Sequence, residues 1–223
     1  MILYFSDTID SMKVIRIQSL AIPDVKVIRN ARFADIRGYF TEVIRGEDLA
    51  KIEEIPYFAD VTWAQVNESY SLANVVRGLH FQWNPHQGKL IRATEGSLID
   101  LALDIREGSS TKGKVVAYEL NYDPAEAFQD IVWVPPGFAH GFAAVTDCRM
   151  EYLCTNKWGP TSERAISIFD PEIDWSLVHP DLKRHIDTVL PIAHMADKDR
   201  NGLTLAQWRS SPDQRVFTET LPQ

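Results

Sequence analysis

The sequence predicts a mainly β protein, a sandwich or barrel of short strands with a helical C-terminal extension. Three observations predict it. Between Lys13 and about Leu120, apolar and polar residues alternate in short runs, the period of a half-buried strand. Turn formers punctuate those runs, as at Pro23, Glu95-Gly96 and Pro135-Pro136-Gly137. Helical periodicity gathers late in the chain. Strands first and helices last suit a sandwich or barrel with an appendage.

The elements follow in order. Residues 1–12 read as a leader of little structure, and 13–223 as one domain. Ile15 and Ile17 alternate with polar neighbours, and Val25 and Val27 do the same after Pro23. Leu49 and Ile52, three apart, mark a helix over 46–54. Strands are expected near 61–65 and 75–81. Residues 89–94 and 97–105 read as hairpin arms around Glu95-Gly96. In the second arm Ile99, Leu101, Leu103 and Ile105 share one face, and Leu98, Asp100, Ala102 and Asp104 the other. Val116, Tyr118 and Leu120 alternate in the next strand. Residues 131–155 repeat the strand–turn–strand theme, and 160–175 close it. The tail is helical over 181–190 and 203–209.

Composition narrows the function. The 223 residues are 45% hydrophobic and 24% charged, a globular balance, with a formal net charge of −8. An acidic surface argues against nucleic-acid and membrane-surface partners, although arginines in a pocket can still hold an anion. The two cysteines, Cys148 and Cys154, match no zinc spacing and read as core residues in a reducing compartment. The opening MILYF is too short for a signal-peptide core, and no apolar run reaches membrane length. The chain therefore reads as cytoplasmic.

Four polar features interrupt strand-like sequence: Arg77-Gly78-Leu79-His80, then Lys89, then Asp100, then Pro135-Pro136-Gly137-Phe138-Ala139-His140. One buried histidine is more often a satisfied core residue than a catalyst. Two histidines, a lysine, an arginine and an aspartate on four neighbouring strands must pair or act, because burying them idle is costly. Pro135-x-Gly137-x-x-His140 matches the second motif of cupin barrels. A metal-binding cupin also supplies His-x-His. Here Gln82 stands two residues after His80, so no metal and no cofactor is expected. Asp197-x-Asp199-x-Asn201-Gly202 copies half a calcium loop, but its twelfth position is Trp208 rather than Glu.

Taken in order, Asp35-Ile-Arg37-Gly38-Tyr-Phe40-Thr-Glu42, Gln65-Val-Asn67-Glu-Ser69, Arg77-Gly-Leu-His80-Phe-Gln82, Gln87-Gly-Lys89-Leu90 and Asp100-Leu-Ala-Leu-Asp104-Ile-Arg106 form a pattern. Pro136-Gly-Phe-Ala-His140-Gly-Phe142, Glu151-Tyr152, Ser162-Glu163 and Lys198-Asp199-Arg200 continue it. Over about residues 20–200 the chain resembles the dTDP-4-dehydrorhamnose 3,5-epimerase family. The resemblance implies a cupin-type β-barrel (jelly roll) and a nucleotide-diphosphate sugar as substrate. It also implies epimerisation beside a C4 ketone, and a homodimer whose subunits trade N-terminal strands. It makes His80 the base, a role suited to imidazole, with Asp199 orienting its ring. It makes Lys89 the stabiliser of the enolate and Tyr152 the acid on the opposite face. His140 with Asp100 forms a supporting pair, and Arg77 grips the diphosphate. Arg37, Phe40, Glu42, Gln65 and Asn67 fall at substrate-contact positions. Where the family usually has two adjacent tyrosines, this chain has Lys157-Trp158. The spacings from His80 to Lys89 and from His140 to Tyr152 are each one residue short of the common ones. A relative using another nucleotide-sugar, or inverting one carbon, fits the same departures. A metal-dependent cupin oxygenase or isomerase and a non-catalytic sugar-nucleotide binding module are the alternatives.

Overall fold

The computed structural model describes residues 12–217. The expectation of a leader therefore lies outside the described residues, except at Met12, which is buried. The strands are β1 (Val14–Ser19), β2 (Lys26–Ala31), β3 (Phe33–Asp35), β4 (Gly38–Phe40), β5 (Gln65–Ser71), β6 (Val76–Gln82) and β7 (Lys89–Glu95). They continue with β8 (Ser97–Asp104), β9 (Val115–Asn121), β10 (Phe128–Val134), β11 (Phe138–Ala144), β12 (Cys148–Cys154) and β13 (Glu163–Ala165). Two antiparallel sheets result, ordered β1-β2-β10-β7-β12-β5 and β13-β6-β11-β8-β9, with β3 and β4 a separate ribbon. This is the mainly β jelly-roll architecture expected.

The pairing corrects one expectation. The arms around Glu95-Gly96 do not form a hairpin: β7 pairs with β10 and β12, and β8 with β11 and β9. The chain crosses between sheets there, and again between β10 and β11. The reason is burial on both faces. All eight residues of β8 are buried, so β8 has no wet face. Leu98 and Ala102 pack between the sheets with Val132 and Phe138. Ile99, Leu101 and Leu103 pack outward under Ile186, Trp208 and Phe217 of the tail. The two faces read from the alternation are therefore the two faces found. Gly96 makes the crossing possible. Its φ is +66°, and a Cβ there would lie 2.0 Å from the Asp147 carbonyl oxygen.

Other boundaries shift for local reasons. A register shift between Val14 and Arg16 turns Ile15 outward, 56% exposed, while Ile17 packs inward. The first helix is only α1 (Gly46–Leu49), followed by a 3-10 turn at Pro56–Asp60. Ile52 is still buried, packing with Leu49, Phe58 and Trp133 beneath the first sheet. The strand expected near 61–65 begins at Gln65. The tail holds α2 (Pro180–Val189), α3 (Asp197–Arg200) and α4 (Leu205–Arg209). Thr204 and Gln207 form a reciprocal cap that starts α4 two residues later than expected. Cys148 and Cys154 are buried and unpaired. No helix among the described residues is long and apolar enough to cross a membrane.

Candidate active site

Strands from both sheets line one pocket. β6 contributes Arg77 and His80, β11 His140 and Phe142, β7 Lys89, and β12 Met150 and Tyr152; Ser69 comes from β5. The two sheets approach this pocket with different chemistry. His80 and His140 are direct cross-strand partners on the second sheet. Lys89 pairs across from Cys154, and Tyr152 from Ile91, so Lys89 and Tyr152 share a face of the first sheet. The imidazoles therefore stand on one wall, and the ammonium and phenol on the other.

Two glycines allow the histidines to be adjacent. A Cβ on Gly78 would lie 2.5 Å from the His140 carbonyl oxygen, and one on Gly141 would lie 2.4 Å from that of Arg77. Only glycine permits this approach of β6 to β11.

Each histidine meets one carboxylate. His80 Nε2 lies 2.7 Å from Asp199 Oδ1. The Gly78 amide donates to Asp199 Oδ2 at 3.1 Å. Burial pushes the Asp199 carboxyl up, but the hydrogen bonds from His80 and the Gly78 amide outweigh it, and the group is held below the ordinary carboxylate range. Asp199 is thus an ionised acceptor that fixes the ring and leaves His80 Nδ1 uncommitted to it. His140 Nε2 lies 2.7 Å from Asp100 Oδ2, both side chains buried. Burial pushes the His140 imidazole down, against the opposing pull of Asp100. The pairs expected from sequence, His80 with Asp199 and His140 with Asp100, are both present.

On the facing wall, burial pushes the Lys89 ammonium below its ordinary value, opposed by Cys154, Glu163 and Asp100. Burial raises the Tyr152 phenol above its ordinary value. Tyr152 is therefore a protonated donor at neutral pH. Arg77 donates from Nε to Ser71 Oγ at 3.0 Å and from Nη2 to the Tyr70 carbonyl at 3.1 Å, which braces its guanidinium at the pocket rim.

The remaining sequence candidates do not line the pocket, although Asn67 is hydrogen-bonded to Tyr152, which does. Gln65 donates to Asn67 Oδ1 at 2.8 Å and accepts from the Trp158 amide at 3.0 Å. Asn67 Nδ2 in turn donates to Cys154 Sγ at 3.6 Å. These two face the same way as Lys89 and Tyr152, across from Cys154 and Tyr152. Arg37, Phe40 and Glu42 are not brought to the pocket within this chain. Arg37 pairs with Asp35 in the turn of the β3–β4 ribbon. Phe40 is 60% exposed, and Glu42 is bonded to Arg45 at 2.8 Å. Sequence reasoning gave no role to Ser69, Phe142 or Met150. The signal for Ser69 was its position two residues after Asn67, which puts it on the same strand face. Its hydroxyl oxygen is buried without a partner among the described residues. No group of three or more His, Cys, Asp or Glu that could hold a metal occurs among the described residues.

A ring fixed by an ionised carboxylate, a facing ammonium and a protonated phenol can move a proton from one side of a carbon acid to the other. The fold and this site define an isomerase of the proton-transfer class, built on a jelly roll. Residues 19–207 match the family model described as dTDP-4-dehydrorhamnose 3,5-epimerase, and the chain belongs to that family. It is 44% identical over 159 residues to the dTDP-4-dehydrorhamnose 3,5-epimerase of Sinorhizobium fredii, covering 70% of this chain and 77% of that one. It is 37% identical over 190 residues to the enzyme of the same name from Pseudomonas aeruginosa, covering 84% and 94%. A dTDP-6-deoxy-D-glucose-3,5-epimerase from Legionella pneumophila, solved with dTDP-4-keto-L-rhamnose, superposes with a TM-score of 0.73 at 30% identity, covering 91% of this chain and 97% of that one. A 3'-monoepimerase from Streptomyces bikiniensis, solved with dTDP-quinovose, superposes with a TM-score of 0.70 at 26% identity, covering 86% and 89%.

Proposed function

We propose that this chain epimerises a dTDP-linked 4-keto-6-deoxy sugar at C3, C5 or both. The observation that carries the reading is the placement of His80 and of Lys89 with Tyr152 on opposite walls of one pocket. His80, steadied by Asp199, removes the proton beside the ketone. The electron pair moves onto the ketone oxygen, and Lys89 holds the enolate so formed. Tyr152 returns a proton to the other face of the carbon, which inverts it. His140 and Asp100 brace the His80 wall, and Arg77 holds the diphosphate. Inversion of a single carbon is the second reading, favoured by the likeness to a 3'-monoepimerase.

The partners follow from the same reading. Ile36 is fully exposed and Phe40 60% exposed on the β3–β4 ribbon, with Arg37 between them. This supports a homodimer in which the ribbon carries Arg37, Phe40 and Glu42 to the other subunit's site, where Gln65 and Asn67 also contact substrate. Two unpaired buried cysteines are in keeping with the cytoplasm.

The test is proton NMR of dTDP-4-keto-6-deoxyglucose with the protein in deuterium oxide, before and after treatment with a chelator. Deuterium enters C3 or C5, inverted sugar accumulates, and the chelator changes neither rate. Binding without exchange supports a non-catalytic module instead, and activity lost to the chelator and restored by one divalent ion supports the metal-dependent alternative.

Lys89 sets a pH limit. Its ammonium is the working form and is lost as pH rises through a value that burial has pushed below the ordinary lysine value of 10.5. Turnover is expected to fall on the alkaline side below that value. Lys89→Arg keeps the charge at every accessible pH. A kcat–pH profile whose alkaline limb survives in that variant assigns the limb to another group.

A further inference from the structure

A row of side-chain amides on β5 ends at Tyr152. Asn67 is the direct cross-strand partner of Tyr152, and Gln65 that of Cys154. Cross-strand partners, and residues two apart on one strand, share a face. All four side chains therefore stand on the face that carries Lys89, which pairs across from Cys154. The direction of each bond in the row is forced. The Trp158 backbone amide can only donate, so the Gln65 atom 3.0 Å from it is the carbonyl oxygen. That turns the Gln65 NH2 group toward Asn67. An NH2 group also only donates, so the Asn67 atom facing it at 2.8 Å is Oδ1. The Asn67 NH2 group is then left for β12. Its two hydrogens meet two acceptors, Cys154 Sγ at 3.6 Å and the Tyr152 phenol oxygen. Burial raises the Cys154 thiol, so the sulfur stays neutral and a weak acceptor. The start of the row is fixed as well. Gln82 donates to the Lys157 carbonyl at 3.0 Å and accepts from the Gly159 amide at 2.7 Å, which holds the Trp158 amide between them.

We infer that Asn67, set by Gln65 and the Trp158 amide, is a positioning residue for the proton-donating step: it donates to the Tyr152 phenol oxygen and holds the phenolate that Tyr152 becomes. When Tyr152 acts, its O–H bond breaks, the enolate's electron pair forms the new C–H bond, and negative charge is left on the phenol oxygen. Burial makes that charge costly, and the Asn67 bond opposes burial by favouring the phenolate. A donor already aimed at the oxygen offsets part of the cost without reorganising. It also occupies the oxygen from one side, which leaves the O–H free to point into the pocket. Solvent then returns a proton to the phenolate and takes one from His80. This inference rests on the reading of Tyr152 as the acid. It ties the segment in which this chain carries Lys157-Trp158 to the acid through a backbone amide and not through a side chain.

The test is the ratio of inverted product to deuterium exchange, with dTDP-4-keto-6-deoxyglucose in deuterium oxide, for wild type, Asn67→Asp, Gln65→Glu and Tyr152→Phe. The ratio compares two fates of one enolate, so it does not move with substrate affinity or with the fraction of protein folded. Asn67→Asp keeps the shape and the acceptor for Gln65, but sets a carboxylate oxygen against the phenol. Gln65→Glu keeps the acceptor for the Trp158 amide and turns an oxygen toward Asn67. Asn67 must then rotate its amide and present its carbonyl to the phenol, although the row links Gln65 to Tyr152 only through Asn67. Each variant is expected to lower the ratio by about tenfold, the loss of one hydrogen bond to a charged group. Tyr152→Phe should lower it further. A wild-type ratio in either amide variant, with Tyr152→Phe uncoupled, overturns the inference and leaves Tyr152 as the acid. Loss of exchange and inversion together in both amide variants makes the amides substrate-binding groups and overturns it likewise. A wild-type ratio in Tyr152→Phe overturns the acid reading itself, and this inference with it.

Discussion

His80→Ala is expected to lower turnover by about a hundredfold to ten-thousandfold, the usual contribution of a positioned general base. Affinity for dTDP-glucose should stay within a few-fold. The two effects separate because the proposed binding groups and the proposed base lie on different elements. Arg77 is held independently by Ser71 and the Tyr70 carbonyl, whereas His80 is held by Asp199. Loss of the ring removes the main partner that holds the Asp199 carboxyl down against burial, but leaves it tied to the Gly78 amide. Asp199→Asn, which keeps the shape but weakens the imidazolium's partner, should lower turnover in the same direction and by less. Deuterium exchange at the sugar carbon measures the abstraction step directly. Exchange near the wild-type rate in His80→Ala would assign the base to another residue, and His140 would be examined next. His140 is a poorer candidate on physical grounds, being buried and already engaged by Asp100.

Tyr152→Phe is expected to uncouple exchange from inversion. The change removes one hydroxyl and little volume, so fold and binding should survive. With the proposed base, His80 on the second sheet, and the proposed enolate holder, Lys89, both in place, abstraction should continue. The proton or a solvent deuteron then returns from His80 to the face it left. Deuterium should enter the carbon next to the ketone at a rate within a few-fold of wild type, while inverted product falls by about a hundredfold. The expectation depends on the facing walls: Tyr152 and Lys89 share the face of the first sheet opposite His80. Its phenol is raised by burial, so it is available as a proton donor through neutral pH. Inversion at the wild-type rate would assign the acid to water or another group. Loss of both exchange and inversion would make Tyr152 a binding residue. The one-residue shortening between His140 and Tyr152 does not displace the tyrosine, which lines the same pocket as His80.

Much of this was legible before folding because strand chemistry is local. In β8 alternation alone separates Ile99, Leu101 and Leu103 from Leu98, Asp100 and Ala102, and those faces are buried against different layers. The same period placed Asp100 on the inner face, where it meets His140. His80, Lys89, His140 and Tyr152 stood out as polar groups in strand-like sequence, and burial forces such groups to pair or act. Their order with the surrounding motifs was enough to identify the family.

What the chain order could not carry was which strands lie side by side. A turn at Glu95-Gly96 looks the same whether its arms pair or part, because turn chemistry specifies a reversal and not a sheet. Only the demand for two covered faces sends β7 and β8 to different sheets. That separation decides the site, since it puts Lys89 and Tyr152 opposite the histidines. Asp199 is 119 residues from His80, and no local period links them. Arg37, Phe40 and Glu42 show the complementary limit: their motif is local and readable, but within one chain they stay on an exposed ribbon. The sequence by itself determined the strand faces, the polar candidates and the family, because those depend on residue type and period. The tertiary structure decided which wall each group occupies, because that depends on burial shared among strands distant in the chain.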